Sequence, residues 1–277
     1  MIFDDRACRL GEGPLWHPLR KELFWFDINA CKIHTKAKSW SFKLSVSAAG
    51  WINRSTLLVA SEVGLHLFEI GTGSLSDPIT LIEADQPETR SNDGRADPWG
   101  GFWIGTMGKG AEFGAGAIYR HFKGETRKLV ADVSISNAIC FTPDHQYAHY
   151  TDTLTKQVMR VPLDPLNGWP QGAAEVWLDL NDVGLNPDGA VVDASGTFWV
   201  ALWGASCVNG YAPDGSLVAS HPIDARHVSC PAFGGDDLSD LYVTSATQDI
   251  RGELANNGKT FCLPQIAKGQ QEHQVML

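Results

Sequence analysis

The chain lacks an excess of basic charge. Lys and Arg together number 22 against 32 Asp and Glu, a formal net charge of −10. Nucleic acid is therefore excluded as an expected partner, because phosphate binding needs a basic face. The acidity fits a soluble protein with carboxylates to spare. The six cysteines (Cys8, Cys31, Cys140, Cys207, Cys230 and Cys262) contain no C-x-x-C pair, which removes zinc knuckles and thioredoxin-type motifs. The nine histidines show no H-x-H or H-E-x-x-H spacing, so no histidine-based metal centre competes for attention. There is no G-x-S-x-G elbow and no G-x-x-x-x-G-K-[ST] loop, so neither a serine hydrolase nor a P-loop is supported. GKGAEFGAG (108–116) reads as a flexible loop between strands. No apolar run approaches the length of a membrane span. The N-terminal MIFDDRACRL is acidic where a signal peptide needs a basic segment and then an apolar one. These absences predict a cytoplasmic protein without a membrane partner, its thiols reduced and mostly buried. No long stretch has helical periodicity, and no tract resembles a linker. Residues 1–277 are expected to form one domain.

Turn-forming residues, by contrast, are plentiful. There are 28 glycines and 14 prolines, with 10 tryptophans, a composition that suggests many tight turns and short strands. Six segments share one shape, a strand, a turn and a second strand rich in aromatic or β-branched residues. They are GEGPLWHPLRKELFWFD (11–27), SAAGWINRSTLLVAS (47–61), SNDGRADPWGGFWIGT (91–106), SNAICFTPDHQYAHYTD (136–152), NPDGAVVDASGTFWVAL (186–202) and SCPAFGGDDLSDLYVTS (229–245). Reference residues in the second strands, Trp25, Leu58, Trp103, His149, Trp199 and Tyr242, step by 33, 45, 46, 50 and 43 residues. A repeating unit of roughly 40–50 residues built of short strands is the mark of a propeller blade. Six units predict an all-β, six-bladed β-propeller around a central channel.

Counting back from the reference residues reaches Glu12, Ser47, Asn92, Asn137, Asp188 and Ser229 at offsets of 11 to 13 residues. Equivalent places in successive blades lie on a ring about the axis. If the first strand of each hairpin is innermost, that ring sits at one mouth of the channel. Singly, Asn, Asp and Ser more often start strands and satisfy turn backbones. Glu12 is a poor turn residue, and it is flanked by Gly11 and Gly13. Together, two carboxylates and two amides at matched offsets offer the oxygen donors that suit a hard cation such as Ca²⁺, Mg²⁺ or Mn²⁺.

LGEGPLWHP (10–18), RSNDGRADPWGGFWIGTM (90–107), ISNAICFTPD (135–144) and NPDGAVVDASGTFWVA (186–201) resemble, in order, the regucalcin/gluconolactonase (senescence marker protein) family. FGG (233–235), DLYVTSA (240–246) and the tail PQIAKGQQEHQVML (264–277) resemble its bacterial sugar lactonases. The resemblance implies a six-bladed propeller holding a single divalent metal ion (Ca, Mg, Mn, Zn or Fe) on Glu12, Asn137 and Asp188. It also implies substrate contacts from Arg90 and Asn92, and from Glu112, which stands at the family's offset before GAIY (116–119). Ala138 and Ala190 depart from the family's usual Gly and Met.

The implied reaction is hydrolysis of a sugar lactone to the sugar acid, in carbohydrate catabolism. Asp188 would be both metal ligand and general base, and the cation would stabilise the developing oxyanion. The partner is a small-molecule sugar lactone, and the protein is expected to be a monomer or weak oligomer. Gluconolactone, galactonolactone, arabinonolactone, xylonolactone and the lactone of a modified sugar acid all remain open. Three other readings use the same scaffold: a metal-dependent phosphotriesterase-like hydrolase, a non-enzymatic calcium-binding propeller and a protein-docking platform.

Overall fold

The computed structural model describes residues 1–250 and 255–277. Its strands form six four-stranded antiparallel sheets, each a simple meander in chain order except the last. The innermost strands are Gly11–His17, Val46–Trp51, Thr89–Ala96, Ser136–Phe141, Pro187–Val192 and His227–Gly234. Each packs against the next and the last packs against the first, so the sheets close as a six-bladed propeller. All six hairpins expected from the sequence are present as the two inner strands of a blade, the short second repeat included. Closure comes from the N-terminus: Ile2–Asp4 pairs with Thr260–Leu263 as the outermost strand of the sixth blade. Among the described residues no helix is long and apolar enough to cross a membrane.

Burial follows distance from the axis. Every residue of Val46–Trp51 and of its partner Thr56–Ser61 is buried, whereas the outermost Ser74–Leu81 of that blade has no buried residue. Inner strands are covered on both faces by neighbouring blades, so in Val46–Trp51 and Thr56–Ser61 apolar and small residues run on without alternation; the outer edge meets water. Phe24, Trp25, Phe26, Trp103, Phe198 and Phe233 are almost wholly buried, and truncating one such aromatic typically costs about 3–5 kcal/mol. His149 belongs to this core. It lies between Trp177 (4.6 Å) and Phe198 (5.4 Å), and burial pushes its pKa down to about 3, leaving it neutral. All six cysteines are free thiols, and four are buried.

The feature that positions the site is a break in register near the start of every innermost strand. Pairing shifts between Glu12 and Leu15, Val46 and Ala48, Ser91 and Gly94, Asn137 and Cys140, Pro187 and Ala190, and Val228 and Pro231. Glu12, Ser47, Asn92, Asn137, Asp188 and Ser229 all lie at or within these bulges. A bulge leaves a residue unpaired and re-aims its side chain, so the near-constant sequence offset is the spacing from bulge to second strand. Gly13 and Ala138 occupy the same step of the first and fourth bulges with φ of +52° and +56°. A Cβ on Gly13 would collide with the Ser47 carbonyl oxygen, so only glycine fits there. Ala138 accepts the left-handed conformation at a cost of about 1–2 kcal/mol.

Candidate functional site

A cavity of about 230 Å³ opens at the bulged end of the channel, and Glu12, Arg90, Asn92, Asn137 and Asp188 all line it. They come from the innermost strands of the first, third, fourth and fifth blades. Leu10, Met107, Ile135 and Trp203 supply apolar wall. All five polar residues are buried.

The amides are held by a chain of hydrogen bonds that crosses blade boundaries. Arg90 Nη1 donates to Asn92 Oδ1 (2.7 Å) and to the Ser91 carbonyl (2.9 Å). Asn92 Nδ2 donates to Asn137 Oδ1 (3.1 Å) and to the Ser136 carbonyl (2.9 Å). Asn137 Nδ2 donates to Thr153 Oγ1 (2.9 Å), whose hydroxyl donates to the Pro187 carbonyl (2.7 Å). Thr153 is placed by Asp152, which caps the short turn Thr153–Thr155. This chain fixes each amide's orientation and leaves the carboxylates differently situated. The Glu12 carboxylate accepts from the Gly13 amide (3.0 Å).

Burial first, and then mutual repulsion with Asp93, pushes the Glu12 carboxyl well above its usual range. Asp188 is pushed the same way by burial, by Glu12 and by Asp93. Arg90 opposes both shifts, and its own pKa is lowered to about 10 by burial, which keeps it a cation at neutral pH. Two ionisable carboxyls share one pocket, and a single guanidinium faces them. Such a site favours either protons or an added cation.

Asp93, which sequence reasoning passed over, takes part in these electrostatics. Buried one residue along from Asn92, it accepts from the Ile139 amide (2.7 Å). Its position in the NDG triplet, inside the same bulge, was the available signal. Thr153, Trp203, Met107 and Gln248 also line the cavity; they come from loops or second strands, which carry no offset to count. Glu112 is not brought to the cavity wall. It is exposed on the loop after the second strand of the third blade, accepts from the Gly110 amide (3.1 Å), and leaves its neighbour Ala111 as the lining residue.

Atoms of Cys8, Asp27 and His34 that could ligate a metal lie within 4.8 Å of one another at the edge of the first blade. Their arrangement has a structural explanation. Asp27 receives the amides of Arg9, Leu10 and Ala30. Asp152 receives those of Ser134, Ile135 and Leu154 at the matching corner of the fourth blade. The carboxylate is a repeated corner brace.

The model of the SMP-30/gluconolactonase/LRE-like region family matches residues 10–247. The crystal structure of a calcium-binding protein, regucalcin, from Agrobacterium tumefaciens strain C58 superposes with a TM-score of 0.96 at 40% identity, covering 100% of this chain and 97% of that one. A Rhizobium meliloti protein whose name, sugar lactone lactonase, is itself provisional is 39% identical, over 98% of this chain and 95% of its own. The pentonolactonase XacC of Haloferax volcanii is 32% identical, over 97% of this chain and 95% of its own. On the family model's match to residues 10–247 and on these similarities, the chain belongs to the SMP-30/gluconolactonase/LRE-like family.

Proposed function

We propose that the protein is a divalent-metal-dependent lactonase that opens a sugar lactone to the corresponding sugar acid. The observation that carries this reading is the convergence of Glu12, Asn137 and Asp188 in one buried cavity with too little positive charge of its own. The donor set, two carboxylates and an amide oxygen, fits a hard or borderline divalent cation. The lactonase names of the relatives from Rhizobium and Haloferax support the reaction class. A cavity of about 230 Å³ lies below the usual range for drug-sized ligands, which suits a single sugar ring.

Glu12, Asn137 and Asp188 would hold the ion. When bound, it supplies electrophilic polarisation of the lactone carbonyl and acidifies water. Asp188 takes a proton from the attacking water as the new C–O bond forms, and returns it to the ring oxygen as the ester C–O bond breaks. Arg90, a cation at neutral pH, presents its remaining N–H donors to the sugar hydroxyls, and Asn92, whose two Nδ2 hydrogens are already committed, offers them the second lone pair of its Oδ1. Leu10, Met107 and Trp203 exclude bulk water from the reacting carbonyl and strengthen each polar contact. Glu112 would reach a substrate only if the loop around Ala111 closed over it.

The test is acid release from pentono- and hexonolactones by chelator-treated protein, before and after addition of Ca²⁺, Mg²⁺, Mn²⁺, Zn²⁺ or Fe²⁺. Turnover restored by at least one metal is expected. Absence of turnover with every lactone, in protein shown to bind metal, would favour the other reading, a non-catalytic calcium-binding propeller. That reading draws support from the similar Agrobacterium protein, which is described as calcium-binding.

A further inference from the structure

The far end of the channel is crossed by the C-terminal segment 264–277. It bonds to five of the six blades. The Ile266 amide donates to Ser239 O in the sixth blade, and Lys268 O accepts from Ala194 N in the fifth. Gln270 Nε2 donates to Phe141 O and Val192 O in the fourth and fifth blades. The Val275 amide donates to Trp51 O in the second blade and the Met276 amide to Gly100 O in the third. This strap carries one carboxylate into the channel. Glu272, with its side chain 7% exposed, forms an ion pair with Arg95, 10% exposed. Arg95 lies on the same innermost strand as Arg90, Asn92 and Asp93.

The charged side chains that interact along the axis are thus Glu12, Asp93, Asp188 and Glu272, with Arg90 and Arg95. Once deprotonated, as metal ligation requires, four carboxylates against two guanidiniums leave two negative charges, the number that one divalent cation cancels. Without Glu272 the deficit would fall to one, because the charge of Arg95 would count against Asp93. We propose that Glu272 is a positioning residue of the channel cation site: held by the C-terminal strap, it neutralises Arg95 and so sets the charge of the cavity to match a divalent ion. This inference rests on the metal-binding reading above, and it concerns residues of the strap, which touch neither ion nor substrate.

The experiment is calorimetric titration of chelator-treated protein with Ca²⁺ and with Tb³⁺, without substrate, with thermal melting to establish folding. Glu272→Gln should weaken Ca²⁺ binding about tenfold, the lower end of what loss of an outer partner of a metal site costs. Arg95→Gln should shift preference toward Tb³⁺ by about the same factor, since the deficit becomes three charges. The double variant Arg95→Gln/Glu272→Gln restores the deficit of two and should bind Ca²⁺ within about threefold of the unmodified protein, well inside that tenfold loss. Unchanged Ca²⁺ affinity in folded Glu272→Gln would overturn the proposal. So would a double variant as weak as the single one, because contact rather than charge would then be at work. If Glu272→Gln does not fold, Arg95→Gln and the double variant decide: the preference for Tb³⁺ gained in Arg95→Gln should be lost again in the double variant, and no gain, or a gain that persists, would overturn the proposal. Protein that binds Ca²⁺ and follows this pattern but hydrolyses no lactone would sink the lactonase reading and leave this inference standing.

Discussion

The bulges of the second and sixth blades differ from those of the other four in what they carry. At the second, Ser47 Oγ donates to Ser91 Oγ of the next blade (2.8 Å). At the sixth, Ser229 Oγ donates to the Gly11 carbonyl across the closing seam (2.5 Å). Both hydroxyls are consumed in joining neighbouring blades, and neither lines the cavity. In the first, third, fourth and fifth blades the same backbone device carries a carboxylate or an amide to the cavity wall. One geometry therefore serves two ends, and the choice of side chain decides which. Four polar positions give a lopsided site from a nearly symmetric scaffold, with the carboxylates of the first and fifth blades separated from the amides of the third and fourth.

The strongest way to sharpen this contrast is within the functional half. Asp188→Asn should lose about 10²–10⁴-fold in kcat even at saturating metal, because an amide donates an oxygen to a cation but accepts no proton near neutral pH. Glu12→Gln should chiefly weaken metal binding and recover as metal is added. kcat measured for both across a metal titration checks this, and full recovery of Asp188→Asn would remove its role as base.

A second test uses pH. The Glu12 and Asp188 carboxyls are raised in the folded metal-free protein, so the folded state there holds protons that the unfolded chain releases. Their stabilisation is fully present below the ordinary carboxylate pKa and is lost as pH rises through the raised values. The Tm of metal-free protein should therefore fall between about pH 4, the ordinary carboxylate value, and neutrality. Saturating metal should flatten that fall. Metal affinity should rise with pH over the same window, with proton release on binding, since only deprotonated carboxyls ligate. A Tm that climbs with pH in the metal-free protein would contradict the burial of both groups.

In the structural half the effects shrink. Ser47→Ala leaves the Ser91 hydroxyl without its partner and should cost about 1 kcal/mol, read by urea unfolding, with metal affinity unchanged. A tenfold change in metal affinity would break the distinction between the two kinds of bulge. The smallest expected effect is at Ala138, whose φ is +56°. Ala138→Gly relieves left-handed strain but loosens the unfolded chain, for a net gain of about 0.5 kcal/mol, with kcat preserved.

Much of this was legible in the sequence because the propeller writes its periodicity into the chain. Trp25, Trp103 and Trp199 mark second strands because those strands are buried on both faces. Counting back from these tryptophans and from His149 reaches Glu12, Asn92, Asp188 and Asn137 because each bulge lies a nearly constant number of residues before. Asp93 was legible only as a neighbour: the NDG triplet marks the bulge, but which of two adjacent polar residues faces the cavity depends on local backbone torsion. Glu112 shows the opposite limit. Its offset before GAIY pointed to the site, yet loop residues are not held by strand register, and it lies outside the cavity wall.

The sequence by itself determined the number of blades, the strands nearest the axis and the four polar positions on the ring, since these follow from local periodicity and turn chemistry. Only the tertiary structure decided how those positions meet. The orientation of Asn137 depends on Thr153 and Asn92, contributed by a turn and by another blade. The charge of the channel depends on Glu272, 177 residues from Arg95 along the chain. Hydrogen-bond direction and net charge at a buried point are set by all groups close in space, and nothing in the spacing of residues along a chain records which distant segment will bring its carboxylate there.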